Sequence, residues 1–203
     1  MRFDPVAGTV AGMNLLNVID VEATCWPGNP PPGQTNEIIE IGLCVVDLDS
    51  RSRIEKHQIM VRPQRSTVSA FCTELTGHTQ ADVEAGMSFT AACRLLADEH
   101  DGWNRPWASW GDYDRNQFRR QTRDSRAPYP FSDEHTNAKR VFTEALALPR
   151  RPGMAGALKT AGLPLEGRHH NGADDAWNIA ALVLHLVARD AWPTSGADAI
   201  VDA

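Results

Sequence analysis

Apolar positions come in short β-branched runs in the first third of the chain and at helical spacing afterwards. Leu15 to Val21 (LLNVIDV) predicts a buried strand. Ile38 to Leu48 (IIEIGLCVVDL) predicts a second. Asp47 to Ser52 reads as a polar turn, and Ile54 to Val61 returns as a third strand. Strands this close together predict an antiparallel meander. Thr24 to Asn36 (TCWPGNPPPGQTN) is too rich in proline and glycine for regular structure and reads as a loop.

Beyond residue 68 the periodicity changes. Ser69 to Thr76 predicts a short helical or turn-like stretch. Ser88 is placed to cap a helix whose Phe89, Ala92, Leu95 and Leu96 share one face. Trp107 to Trp110 reads as a further strand, followed by a helix from about Asp112 towards Arg123. Asn137 to Leu148 and Met154 to Ala161 predict two more helices, the second stopped by Gly162 and Pro164. Asp174 to Ala188 predicts a long helix, apolar nearly all round and so packed against the sheet. Strands followed by helices, with one strand among them, imply a mixed α/β sheet. Residues 1–13 read as a leader, 14–190 as one domain and 191–203 as a tail.

Composition narrows the function classes. The net charge of −6 argues against a protein that coats long duplexes, which needs many phosphate contacts, but not against one that grips a few nucleotides. The four cysteines form no C-x-x-C pair and no histidine stands at finger-like spacing, against a structural zinc site. No signal peptide is visible, so reduced thiols in a cytoplasm are the simplest expectation. The longest apolar run, Ile179 to Val187, is cut by His185 and is too short for a membrane span.

Three segments carry candidate chemistry. Asp20 and Glu22 alternate with Val21, so on a strand both carboxylates project from one face. Paired carboxylates repel unless a cation lies between them, and oxygen-only ligation suits Mg²⁺ or Mn²⁺. Two solvated acids at a strand end have the same pattern. In Trp110-Gly111-Asp112-Tyr113-Asp114, acids meet a helix start. Asp112 is placed as the N-cap, and Asp114 shares a helical face with Phe118. In His169-His170-Asn171-Gly172-Ala173-Asp174-Asp175, a loop delivers histidine just before two acids. Such a histidine can accept a proton near neutral pH. The residues alone leave His169 against His170, and Asp174 against Asp175, open.

Together these segments resemble the DEDDh (DnaQ-like) 3′→5′ exonucleases, whose motifs are Asp-x-Glu, a later Asp, and His-x-x-x-x-Asp. The matches are Asp20 and Glu22, Asp114, and His170 with Asp175; the likeness of Gly172 to Ala180 to the third motif selects this last pair. Asp20 to Cys25 with the following GNPP, Asn36 to Gly42, and Phe71 to Gly77 resemble the family's RNA-processing branch. That branch includes histone-mRNA and small-RNA-trimming enzymes and bacterial relatives linked to sporulation control.

The resemblance implies a ribonuclease-H-like mixed sheet of five strands flanked by helices. It also implies two Mg²⁺ or Mn²⁺ ions about 3.5–4 Å apart. Asp20 would bridge both ions, Glu22 and Asp175 would complete one shell, and Asp114 would serve the second. His170 would be the general base. The substrate would be a single-stranded nucleic acid 3′ end, RNA favoured, and the product a nucleoside 5′-monophosphate. Ala23, Thr24, Phe71, Cys72, Leu75 and Thr76 would lie near the terminal bases. Trp26 in the proline loop is a stacking candidate of its own. The five arginines between Arg115 and Arg126 are candidates for phosphate. A DNA-directed exonuclease and a catalytically silent nucleic-acid-binding module are the alternative readings.

Overall fold

The computed structural model describes residues 14–193, so the leader and residues 194–203 of the tail lie outside the described residues. Strands β1 (Leu15–Ala23), β2 (Ile38–Asp47) and β3 (Ser52–Arg62) form the expected antiparallel meander. Thr24 to Asn36 contains no helix or strand. Helices α1 (Ala70–Thr76) and α2 (Gln80–Glu84) lead to a two-residue strand, β4 (Met87–Ser88), and to α3 (Phe89–Asp98). Then come β5 (Trp107–Ser109), α4 (Tyr113–Ser125), β6 (His135–Asn137), α5 (Ala138–Ala145), α6 (Met154–Ala161) and α7 (Gly172–Val187).

The sheet has six strands in the order β4-β3-β2-β1-β5-β6, where five were expected. β5 runs parallel to β1, β6 parallel to β5 and β4 parallel to β3. β4 and β6 escaped the sequence because two and three residues show no periodicity. β6 is the polar triplet His-Thr-Asn, and it pairs because β5 presents an open edge. Helix α2 has only five residues and is held by a capping box between Thr79 and Asp82. Ser69, Ser88 and Asn137 cap α1, α3 and α5 through side-chain oxygens.

Alternation along the central strands sends side chains to two cores. Leu16 and Val18 of β1, with Cys44 and Val46 of β2, pack against α5, α6 and α7. Ile19 and Val21, with Ile41, Leu43 and Val45, face α3 and α4, where Phe89 and Phe118 fill the layer. Both faces being covered, the central strands read as continuous apolar runs. Asp20 and Glu22 therefore extend the row that lies under α7.

Gly42 of β2 and Gly172 at the head of α7 meet there. A Cβ on Gly42 would stand 1.8 Å from the Gly172 carbonyl oxygen. Gly42→Ala is therefore expected to lower stability by about 1–3 kcal/mol or more. Gly28→Ala, where a Cβ meets nothing within 4 Å, should change it by less than about 0.5 kcal/mol. Urea denaturation of the two variants checks this; equal midpoints would show that the close approach is not needed.

Candidate active site

Four acids and two histidines converge from distant parts of the chain at the end of β1. Asp20 and Glu22 sit on neighbouring same-face positions of the strand. Asp175 arrives from the first turn of α7, and one donor oxygen from each of these three lies within 4.8 Å of the others. Asp114 lies in the first turn of α4, and its Oδ1 accepts the Val21 N–H at 3.0 Å. Strand β5 pairs with β1 only at Asn17 and Val18, leaving this amide for a side chain. Asp114 and Phe118 are both buried, as their four-residue spacing predicts. Asp112 occupies the N-cap position but makes no capping bond; its carboxylate instead accepts from Arg115 and Asn137.

The third segment separates the paired candidates. Asp174 turns away, ion-paired to Lys56 and accepting the Arg168 N–H at 2.7 Å. Asp175 is buried and accepts the His170 N–H at 2.9 Å. The Asn171 side chain caps α7, so the positive end of the helix lies beside the acids. His170 takes a left-handed backbone, φ 63°, uncommon for a residue with a Cβ. Its Nδ1 stands 4.0 Å from Glu22 Oε1. His169 Nδ1 lies 3.0 Å from Asp175 Oδ2, and the two imidazoles stack at 4.0 Å between centroids.

Electrostatics follow from crowding. Burial, then the Asp114, Glu22 and Asp175 charges, push the Asp20 carboxyl well above the usual range. Burial and then Asp175 and Glu40 lift Glu22 to about 8. Burial also raises Asp114, to about 6, against the Val21 hydrogen bond that favours its charged form. Asp175 is raised by burial too, partly offset by His169. Like charges held this close without a counterion disfavour ionisation. The donor set is rich in carboxylate oxygen, which fits a hard divalent cation.

A residue with no role assigned from sequence is Glu40, on β2 opposite Glu22. It is fully buried, paired with His78 and bonded by Gln58 Nε2 at 2.9 Å and the Ala173 N–H at 3.2 Å. Burial alone would raise its carboxyl, but the hydrogen bonds, His78 first, bring it below the usual value. Glu40 thus ties the head of α7 to the sheet as a carboxylate. A charged residue inside the otherwise apolar IIEIGLCVV run was the signal for it.

The expected substrate contacts divide. Ala23 and Leu75 line the pocket, together with Cys25, Trp110, Tyr113 and Met154. Tyr113 is the most exposed large apolar side chain described, at 57%, and helical phase gave no hint of its position beside the acids. Thr24, Cys72 and Thr76 are fully buried and lie behind the wall. Thr24 Oγ1 donates to the Thr35 carbonyl and accepts from the Glu37 N–H. Cys72 Sγ donates to the Ala23 carbonyl, and Thr76 Oγ1 to that of Cys72. Phe71 is exposed and Trp26 half-buried, and neither lines the pocket. Of the arginines, Arg120 is engaged by Thr35, Asn36 and Gln117, and Arg115 by Asp112.

An exonuclease family model (RNase_T) matches residues 18–183. The chain belongs to the exonuclease family. The human 3′-5′ exoribonuclease 1 is 30% identical over 184 residues, 86% of this chain and 52% of that protein. The Drosophila melanogaster 3′-5′ exonuclease Snipper is 28% identical, over 83% of this chain and 68% of its own length. The chain spans about half the length of the human relative. The nuclease domain of 3′hExo, a DEDDh family member solved bound to rAMP, superposes with a TM-score of 0.80 at 27% identity. That match covers 88% of this chain and 94% of the other. These relatives set the chain within the DEDDh group and its RNA-processing branch, and the α/β fold is the one they share. The group depends on divalent metal ions.

The crowding has a measurable consequence. Asp20→Asn is expected to raise the Tm in chelator by about 2–4 °C, because one like charge is removed. It should also abolish most of the Tm gain that Mn²⁺ gives the unsubstituted protein. Differential scanning calorimetry with and without Mn²⁺ checks both; an undiminished gain would place the cation elsewhere.

Proposed function

We propose that the protein is a 3′→5′ exonuclease acting on single-stranded RNA 3′ ends and releasing nucleoside 5′-monophosphates. The observation that carries this reading is the meeting of Asp20, Glu22 and Asp175 donor oxygens in one pocket with Asp114 and His170 beside them. RNA is favoured because similar proteins are exoribonucleases and one related structure shows a 3′-exonuclease recognising a histone mRNA stem-loop.

Asp20, Glu22, Asp114 and Asp175 would hold two Mg²⁺ or Mn²⁺ ions. When bound, such ions supply Lewis acidity to the scissile phosphate and charge stabilisation to the leaving 3′ oxygen. His170 is the general base, taking a proton from the attacking water at an imidazole nitrogen. Its left-handed backbone is held by the hydrogen bond to Asp175, which fixes the base relative to that acid. His169 orients the Asp175 carboxylate. Trp110 and Tyr113 line the pocket as aromatic surfaces on which terminal bases can stack. Glu40 holds the head of α7, and with it Asp175, in register with β1.

The four cysteines are free thiols, which supports a reducing compartment such as the cytoplasm. No helix among the described residues is long and apolar enough to cross a membrane.

Incubation of 5′-labelled single-stranded RNA with Mg²⁺ should give a ladder shortening from the 3′ end, absent with Asp20→Ala. Equal decay in both would sink the reading. The matched DNA strand should be degraded with a lower kcat/KM, since the 2′-OH is the distinguishing group. His170→Ala should lower kcat by about 10²–10⁴-fold while Mn²⁺ binding, followed by calorimetry, persists. His169→Ala should cost less than His170→Ala, about 10–100-fold, because that ring acts through Asp175. The reverse order would make His169 the base.

A further inference from the structure

The opposite face of the sheet carries a second cluster of ligating side chains. Glu55 and His57 alternate on β3, and Glu55 pairs in register with Val45, whose side chain faces α3. They continue the row begun by Ile59 and Val61, at the point where α3 ends and no longer covers it. His100 follows the α3 C-cap, Glu99, and its backbone carbonyl accepts from Asn17 Nδ2 at 2.9 Å. Its ring is thereby brought over the two β3 side chains. Asp20, Glu22 and Asp175 lie at α7, on the other side of the sheet.

From the geometry we infer that Glu55, His57 and His100 form a binding site for a borderline transition-metal cation of the Zn²⁺ class. One donor atom from each lies within 4.8 Å of the others. His57 Nε2 stands 2.8 Å from Glu55 Oε2, and His100 Nδ1 stands 3.8 Å from the same oxygen. Donors around a tetrahedral zinc, at bonds of about 2.0–2.1 Å, are roughly 3.3 Å apart. The two separations bracket that value, so small side-chain rotations would admit the ion.

The chemistry agrees. Two imidazoles and one carboxylate suit zinc, whereas the carboxylate-rich pocket across the sheet suits Mg²⁺ or Mn²⁺. The rings of His57 and His100 are tilted by 60° with centroids 4.5 Å apart, so they are not locked in a stack. His100 is only 9% exposed, yet its ring makes no hydrogen bond among the described residues. Its ring nitrogens are not sealed from solvent, so a cation can reach them. His57 and His100 open onto a surface hollow, which Glu99 also lines, so a fourth ligand can reach the ion. Three protein ligands with an open position are a common zinc arrangement. Binding would tie the end of α3 to the edge of the meander.

The proposal is independent of the exonuclease reading and is tested apart from it. The full chain carrying Asp20→Asn and Asp175→Asn, which disables the acid pocket, is titrated with Zn²⁺ by calorimetry in excess Mg²⁺. One equivalent is expected to bind. Adding His57→Ala should weaken that binding at least tenfold, as should Glu55→Gln. Co²⁺ in place of Zn²⁺ should give a visible absorption band that is lost in the same variants. His57 is part-exposed, and circular dichroism together with a retained cooperative thermal transition of the single variant His57→Ala establishes folding. His100→Gln serves as a second variant from the buried side. Zinc stoichiometry and affinity untouched by His57→Ala and Glu55→Gln, or no zinc bound at all, would overturn the site.

Discussion

The head of α7 lies directly on the sheet because neither Gly42 nor Gly172 carries a side chain, and everything at the acid pocket depends on that approach. It carries Asp175 to the two acids of β1. A single methyl group in the gap would separate the third motif from the first. The contact is reinforced rather than merely permitted. Glu40 reaches from β2 to the Ala173 amide, and its charge is kept by His78 and Gln58. A buried carboxylate that holds a helix terminus is stable only when every lone pair has such a partner.

The same approach concentrates negative charge. Asp20, Glu22, Asp114 and Asp175 each have a carboxyl raised by burial, and Asp20 and Glu22 are raised further by the neighbouring acids. Packing elsewhere must hold them together. Three devices ease the repulsion without a cation: the Val21 amide shared with Asp114, the positive end of α7 beside Asp175, and His169 against the Asp175 carboxylate. The residual repulsion is what a divalent ion would relieve, so metal affinity and apo-state instability share one origin.

The sheet separates two kinds of donor set. Carboxylates gather at the acid pocket with His169 and His170 beside them, and His57 and His100 with one carboxylate gather on the α3 face at the far end of the meander. One layer of strands places hard-ion and borderline-ion chemistry on opposite sides, because alternate residues of a strand cannot share a face.

The chain by itself determined the meander, the proline loop, most helix starts and the pairing of Asp20 with Glu22. All of these are local: strand alternation, caps and turn residues act within a few positions. Asp114 was legible through its spacing to Phe118, and His170 with Asp175 through a resemblance in their spacing. The short strands β4 and β6 were not legible, because an edge supplied by another strand forms them. Nor were Thr24, Cys72 and Thr76 legible as wall rather than contact, since burial depends on what packs against a residue from elsewhere. The different surroundings of Asp175 and Asp174, and the positions of Glu40, Tyr113 and His100, were likewise decided only in three dimensions. Each depends on a partner tens of residues away, and separation in sequence carries no record of who that partner is.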